Sequence, residues 1–461
     1  MGEDTQKYTI AMIGAGPASL YSTDKLAEAG HDVVILNRDI KHGGLAEFGI
    51  YPTKYRMKRG LRTMFDRILD RDNVHYFGNV SVGDGGDLEL EKLREIGFDA
   101  IVVAVGAQGT KWLGLPGEDA EGVYHAKDLV YHYNGLPPFS QQEFKIGEDV
   151  CVIGLGNVCL DIIHWLTCEK KVEQATAVAR RGPNERKTTR KEMRIVSPAL
   201  DITQLEAEFD RIAADLEAVG QDPEESFEDL IKYKDRDLEC GESPTRFRMR
   251  FERSPSEIET GADGSVTGLV CEKTRLVEGE GERVGIEKLG EYETIPCDTV
   301  VFAIGDAIEP TIGLPLEPEW KSTFATVPDS WDEYPDRPRY MCYNPDTEEP
   351  IWDTFVVGWA RQASDGLVGK AKADGEQGCD EVLAFLDGGF PVVPGQTPEP
   401  AEQLIARLVE LLAARDVEFV DFDGVKRLKA LEEERAEQEG LEEFKFTSNE
   451  KMLALLDSES S

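Results

Sequence analysis

The stretch Tyr8-Thr9-Ile10-Ala11-Met12-Ile13-Gly14-Ala15-Gly16-Pro17-Ala18-Ser19-Leu20 decides the fold. Its apolar run ends in Gly14-x-Gly16-x-x-Ser19, and Ala18 to Gly30 has helical spacing, so the segment reads as a strand, a tight turn and a helix N-terminus. Such a turn lets backbone N–H groups and the positive end of a helix dipole approach a pyrophosphate, which bulky side chains would prevent. His31 to Leu36 supplies the next strand. Asn37 stands at its end, where a ribose-binding Asp or Glu is expected roughly 20 residues past the turn. The dinucleotide fingerprint is complete except for its acid.

The architecture then begins again. Asp149-Val150-Cys151-Val152-Ile153 is a second apolar strand, Gly154-Leu155-Gly156-Asn157-Val158-Cys159 a second turn, and Leu160 to Thr167 a helix. The next strand, Thr176 to Ala179, delivers Arg180-Arg181-Gly182-Pro183 to the acid position. Arginine in that place accommodates a 2′-phosphate, so this half is expected to prefer NADP over NAD. Asp99 to Gly106 and Asp298 to Gly305 share acid, alanine and glycine in register, as corresponding final strands of two similar modules would. Phe355 to Arg361 then reads as a strand, and Asp365 to Gly369 opens a helix that returns to the first module. The expected fold is α/β, with two Rossmann-like dinucleotide-binding domains. A second domain over 108–320 is inserted in a first domain made of 1–107 and 321–461, which ends in a helical extension from about 396.

Composition bounds the rest. The chain has 51 Lys and Arg against 90 Asp and Glu, a formal net charge of −39, which argues against nucleic acid as a partner. Acid spread along the whole chain suits a protein kept in solution at high salt, where screening limits self-repulsion. No run reaches the ~20 apolar residues needed to cross a bilayer, and the acidic start lacks the character of a signal peptide, so a cytoplasmic location is expected. The eight cysteines never form a Cys-x-x-Cys pair, which argues against a dithiol redox centre and a local iron–sulfur cluster. They read as small hydrophobes in a reducing compartment, and no metal site is expected. Asp421-Phe422-Asp423-Gly424 with Glu432 resembles a calcium loop only superficially, because Lys426 takes the place that needs glycine. Two basic islands, Lys41 to Arg62 and Arg180 to Arg194, flank the glycine turns, and Arg246 to Phe251 alternates basic and apolar residues like a half-exposed strand.

Gly-x-Gly-Pro-Ala at Gly14, Gly-x-Gly-Asn-Val-x-Leu-Asp at Gly154, Arg-Arg-Gly-Pro at Arg180, Lys-Glu-x-Arg at Lys191, Arg-Ser-Pro at Arg253 and Gly-Trp at Gly358 occur in one order along the chain. Together they resemble the adrenodoxin reductase type of ferredoxin–NADP reductase, including its bacterial relatives. The resemblance implies FAD on the first turn and NADPH on the second. By matching position, Gly14, Gly16, Pro17, Ala18, Asn37, Gly44, Leu45, Val82, Trp359, Gly366, Leu367 and Val368 would contact FAD. Gly154, Leu155, Gly156, Asn157, Val158, Arg180, Arg181 and Glu192 would contact NADP. The implied activity is an NADPH-dependent flavoprotein reductase that moves a hydride to flavin N5 and hands electrons to ferredoxin or a similar small carrier. That step needs no protein acid or base, and Asp161 and Glu192 are the candidates for a proton relay or for holding the nicotinamide end. Two positions depart from the pattern: Asn37 replaces an acid, and Lys54 stands near the usual histidine. Gly43-Gly44-Leu45 with Phe48-Gly49-Ile50 also resembles the flavin domain of the glutamate synthase small subunit, so the alternative is an accessory flavoprotein subunit feeding a larger enzyme.

Overall fold

The computed structural model describes residues 6–279, 283–319, 321–328, 339–362, 368–389 and 398–458. The chain divides into two compact units, Met1–Gly109 with Tyr131–Gln141 and Asp306–Ser461, and Thr110–Val130 with Gln142–Gly305. The second unit is therefore shorter than the stretch 108–320 read from the sequence. Tyr131–Gln141 and everything from Asp306 onward pack with the first unit instead.

The first unit opens with β1 (Thr9–Ile13), α1 (Pro17–Glu28), β2 (Asp32–Asn37), α2 (Tyr55–Leu69), β3 (Val74–Gly78), α3 (Leu90–Ile96) and β4 (Ala100–Val103). β1 and β2 carry five and six buried residues without interruption, the pattern of parallel strands covered on both faces. β1 lies between β2 and β4, both parallel to it, and Ile13 pairs with Leu36 on one side and Val103 on the other. That register places the ends of three strands together, at the point where the glycine turn leaves β1.

The second unit repeats the plan. β5 (Val123–His125), β6 (Asp149–Ile153), α4 (Asn157–Trp165), β7 (Gln174–Val178), α5 (Arg190–Val196), α6 (Ile202–Ala218) and β8 (Arg246–Arg250) lead to β9 (Arg253–Thr260), β10 (Val266–Glu278), β11 (Val284–Pro296) and β12 (Thr299–Phe302). A parallel sheet of order β5-β12-β6-β7-β8 carries the turn, and β9-β10-β11 form a separate antiparallel sheet. The equivalence of Asp99–Gly106 and Asp298–Gly305 extends to single bonds. Asp99 accepts the Thr9 N–H at 2.7 Å, and Asp298 accepts the Glu148 N–H at 2.9 Å; each thereby ties the start of its final strand to the start of the strand that feeds the turn.

The chain then returns to the first unit with β13 (Met341–Asn344), β14 (Glu349–Val356), α7 (Val368–Ala384), α8 (Ala401–Ala414), α9 (Phe422–Glu439) and α10 (Asn449–Ser458). β14 joins the sheet parallel to β4, and β13 closes the edge antiparallel, giving the order β13-β14-β4-β1-β2-β3. α8 fills one face of this sheet with Leu404, Leu408 and Leu412, and α9 supplies Val425 and Leu428 to the other. The helical extension is thus a working part of the core. Among the described residues no helix is long and apolar enough to cross a membrane.

Candidate functional site

At the first turn Gly14 has φ +99°, and a Cβ there would lie 2.7 Å from the Ala104 carbonyl oxygen, so only glycine lets β1 turn against the end of β4. A Cβ at Gly16 would meet nothing within 4 Å, which leaves open space in front of the α1 N-terminus. No side chain caps that terminus, and its dipole and N–H groups face the same opening. Ser19 does not point there: its hydroxyl donates back to the Gly14 carbonyl at 2.6 Å and fixes the turn. The loop after β2 folds onto the turn, with the Gly43 N–H donating to Ala15 O at 2.8 Å and Gly44, at φ +49°, sitting against Gly16. Behind α1, Gly358 and Gly375 pack against Ala18 so closely that a Cβ at either would lie under 3 Å from it.

Asn37 is 8% exposed, and its amide serves the fold. Its Oδ1 accepts the Ala15 N–H at 3.0 Å, while Nδ2 reaches Asp39 O at 2.7 Å, Lys41 O at 3.2 Å and the Tyr76 hydroxyl at 3.0 Å. Both Nδ2 hydrogens are directed into the unit, so only a lone pair of Oδ1 is left over. Burial keeps the Tyr76 phenol protonated, and it donates on to Ile40 O at 3.1 Å. Trp359 carries the opposite feature: its indole Nε1 is buried with no acceptor among the described residues, next to Gly358, whose N–H is held by Asp374 on α7. An orphaned indole N–H, an uncapped helix and open space at Gly16 fit a flavin dinucleotide. Leu45 opens the short helix after Gly44, Val82 lies half-buried beyond β3, and Val368 begins α7, whereas Gly366 and Leu367 lie outside the described residues.

The C-terminal helices are wired into the same loop. The buried Lys41 ammonium pairs with Glu432 of α9 at 2.6 Å, and Glu432 also accepts the Phe446 N–H at 2.7 Å. Asp421 caps α9 by accepting the Gly424 N–H at 2.7 Å, which accounts for the acids that resembled a calcium loop. Burial by itself would raise the Glu47 carboxyl, but Lys445 and Arg62 overturn this and hold it low. Lys58 is 1% exposed and donates to Asn134 Oδ1; burial pushes its ammonium down to about 7, with Lys445 adding to the effect.

The second turn uses the same backbone geometry. Gly154 has φ +114°, with a would-be Cβ 2.3 Å from Ala303 O, and its N–H donates to Val178 O at 2.9 Å, as the Gly14 N–H does to Leu36 O at 2.7 Å. α4 also starts uncapped, at Gly156, and Val158 in its first turn is 46% exposed. Asn157 accepts the Thr189 N–H at 2.8 Å, and the Lys187 N–H donates to Leu155 O at 3.0 Å, so the loop leading to α5 is held along the turn. Arg180 is exposed, while Arg181 is half-buried, and among the described residues its Nε and the buried Thr188 hydroxyl have no partner. These orphaned donors suit a phosphate. The backbone beneath the pair is pinned by the Thr274 hydroxyl, which donates to Arg180 O at 2.8 Å, and by the Glu252 N–H, which donates to Arg181 O at 3.2 Å. Glu252 is 1% exposed at φ +53°, and burial pushes its carboxyl up to about 7 against the pull of Arg211. Thr189 caps α5 through the Glu192 N–H, and Asp161 lies on α4.

Sequence reasoning missed Tyr76, Asp374, Thr188, Thr274 and Glu252. Of the nearby residues only Thr189 left a signal, as the first member of a Thr-x-x-Glu capping box with Glu192. One expectation is corrected. Six cysteines are buried free thiols as expected, but Cys168 and Cys240 form a disulfide across 72 residues, a separation that no search for close pairs detects. The arginines of β8 and β9 are also largely committed inside the second unit: Arg248 pairs with Asp201 at 2.9 Å, and Arg250 and Arg253 pair with Glu293.

Residues 8–196 match the family of pyridine nucleotide-disulphide oxidoreductases. Along its length the chain is 27% identical to the NADPH-ferredoxin reductase FprA of Mycobacterium tuberculosis, over 97% of this chain and 99% of that one. It is 26% identical to the mitochondrial NADPH:adrenodoxin oxidoreductase of Arabidopsis thaliana, over 96% and 94%. The structure of M. tuberculosis FprA in complex with NADPH superposes with a TM-score of 0.79 at 25% identity, covering 98% of this chain and 100% of that one. These matches support an adrenodoxin-reductase-type family.

Proposed function

We infer that the chain is a reductase of the adrenodoxin reductase type, which holds FAD and passes electrons between NADPH and a small one-electron iron–sulfur carrier. One observation carries this reading: a single turn geometry is built twice, on two separate parallel sheets, and only the second copy has an arginine pair beside it. FAD bound at the first turn supplies the centre that takes a hydride and releases electrons singly. This chain's residues bind and orient. The uncapped α1 N-terminus and the Gly14 turn would take the pyrophosphate, with Trp359 Nε1 offering a hydrogen bond to a ring acceptor. Arg180 and Arg181 would take the 2′-phosphate of NADPH, and the Gly154 turn its pyrophosphate. Asp161 and Glu192 remain the candidates for holding the nicotinamide end or relaying a proton.

An absorbance spectrum tests the reading. The purified protein is expected to be yellow, and NADPH should bleach the flavin band far faster than NADH. A colourless protein that takes up no added FAD would end it.

A further inference from the structure

We propose that the outward face of α2 is the docking surface for an acidic iron–sulfur carrier. The inference rests on the reductase reading above. In a chain of net charge −39, this 15-residue helix exposes Arg56, Arg59, Gly60, Thr63 and Arg67, positions three or four apart that share one face, with Met57 beside them at 47% exposure. Its opposite face is fixed in the core by Phe65, Ile68 and Leu69. Three other cations of this island are already committed: Lys41 to Glu432, Lys58 to Asn134, and Arg62 to Glu47 and Glu443. Arg59 and Arg67 have no ion pair among the described residues, and Arg56 lies against the Tyr55 ring at 5.9 Å, with the charge of Glu442 also acting on it. On β8 and β9, Arg248, Arg250 and Arg253 are paired with Asp201, Glu208 and Glu293. Within the first unit, charge complementarity therefore points an acidic partner to α2.

Gly60 supplies an independent reason. It sits in the middle of an exposed helix, where glycine is less favourable than alanine, and a Cβ there would meet nothing within 4 Å. The unit itself gains nothing from the missing side chain. A flat spot between Arg56 and Thr63 does allow a partner's backbone to come close. α2 is also tied to the first site, because it follows the loop whose Gly43 N–H donates to Ala15 O and is clamped to that loop by Arg62 and Glu47.

The test compares acceptors at the lowest ionic strength at which far-UV circular dichroism shows the fold intact. Salt near 1 M shortens the Debye length to ~3 Å and would mask the effect. In the triple variant Arg56→Gln, Arg59→Gln, Arg67→Gln, the KM for an acidic [2Fe–2S] ferredoxin should rise about tenfold with a flatter salt dependence. Reduction of ferricyanide by NADPH should be unchanged, and reduction of the basic cytochrome c should not slow. Gly60→Ala should raise the melting temperature yet also raise the ferredoxin KM. An unchanged ferredoxin KM in the triple variant, with ferricyanide reduction intact, would overturn the docking surface and leave the reductase reading standing. A wild-type protein that reduces no acceptor with NADPH would remove both.

Discussion

The two glycine turns share their backbone and differ in the side chain at the end of the next strand. Beside Gly14, the Asn37 amide is buried and bonded to Ala15, Asp39, Lys41 and Tyr76. Beside Gly154, Arg180 is exposed and Arg181 retains an unpartnered Nε. One strand end is committed to its own fold, and the other presents donors that the described residues do not use. A site whose walls are closed by internal bonds suits a dinucleotide that stays, whereas donors left open suit one that comes and goes.

The largest effects should come from the turns themselves. A methyl group at Gly154 would force Ala303 O away and misplace the turn by about 1 Å, enough to cost about 100-fold. Gly154→Ala should therefore lose NADPH-driven bleaching by about that factor while the protein stays yellow, and Gly14→Ala should come out colourless. Stopped-flow absorbance and the flavin-to-protein ratio separate the two; loss of flavin in both variants would break the division of labour. Next in size, replacing Arg180 and Arg181 by Gln removes charge-assisted bonds worth about 2 kcal/mol, so kcat/KM for NADPH should fall roughly 30-fold. NADH should be nearly unaffected, and equal losses for both cofactors would refute the phosphate assignment.

Asn37→Asp sharpens the contrast from the other side. A motif-based reading predicts that restoring the acid improves the flavin site. The structure predicts the reverse, because a carboxylate cannot donate to Asp39 O and Lys41 O. The expected loss is about 1–2 kcal/mol in a urea titration, with flavin affinity no better than in the wild type. The smallest effect concerns the matched acids. Burial pushes the Asp99 carboxyl up to about 6, against about 3.9 in an unfolded chain. The folded state therefore binds a proton more tightly, and this contribution is present below pH 4 and lost as the pH rises through 6. Asp99→Asn, which can still accept the Thr9 N–H, should gain about 1 kcal/mol on the wild type above pH 6 after allowance for solvent screening, with the gain vanishing toward pH 4. Urea midpoints of Asp99→Asn and the wild type across that range would show whether the gain follows this pH dependence.

Features that depend on a few consecutive residues were legible in the sequence. The two turns, the strands that feed them, the paired Asp99 and Asp298 strands and the helix starts all follow from local rules: a positive φ that only glycine adopts easily, apolar runs for buried parallel strands, and small residues at a helix N-terminus. The arginine pair was legible for the same reason, since strand length fixes where residue 180 must stand. The extent of the second unit was less so, because Tyr131–Gln141 has no pattern of its own that says which core it joins.

The sequence by itself therefore determined that one glycine turn is built twice and that an arginine pair stands at the end of the strand after the second. Only the tertiary structure decided what the neighbouring side chains do. Asn37 reads as a weakened ribose ligand until Tyr76, 39 residues later, is seen to hold its amide. Glu432 reads as the last acid of a superficial calcium-loop pattern until Lys41, 391 residues earlier, is found against it. A hydrogen-bonding group is satisfied by whatever the fold brings within about 3 Å, and neither composition nor spacing encodes that meeting across hundreds of residues.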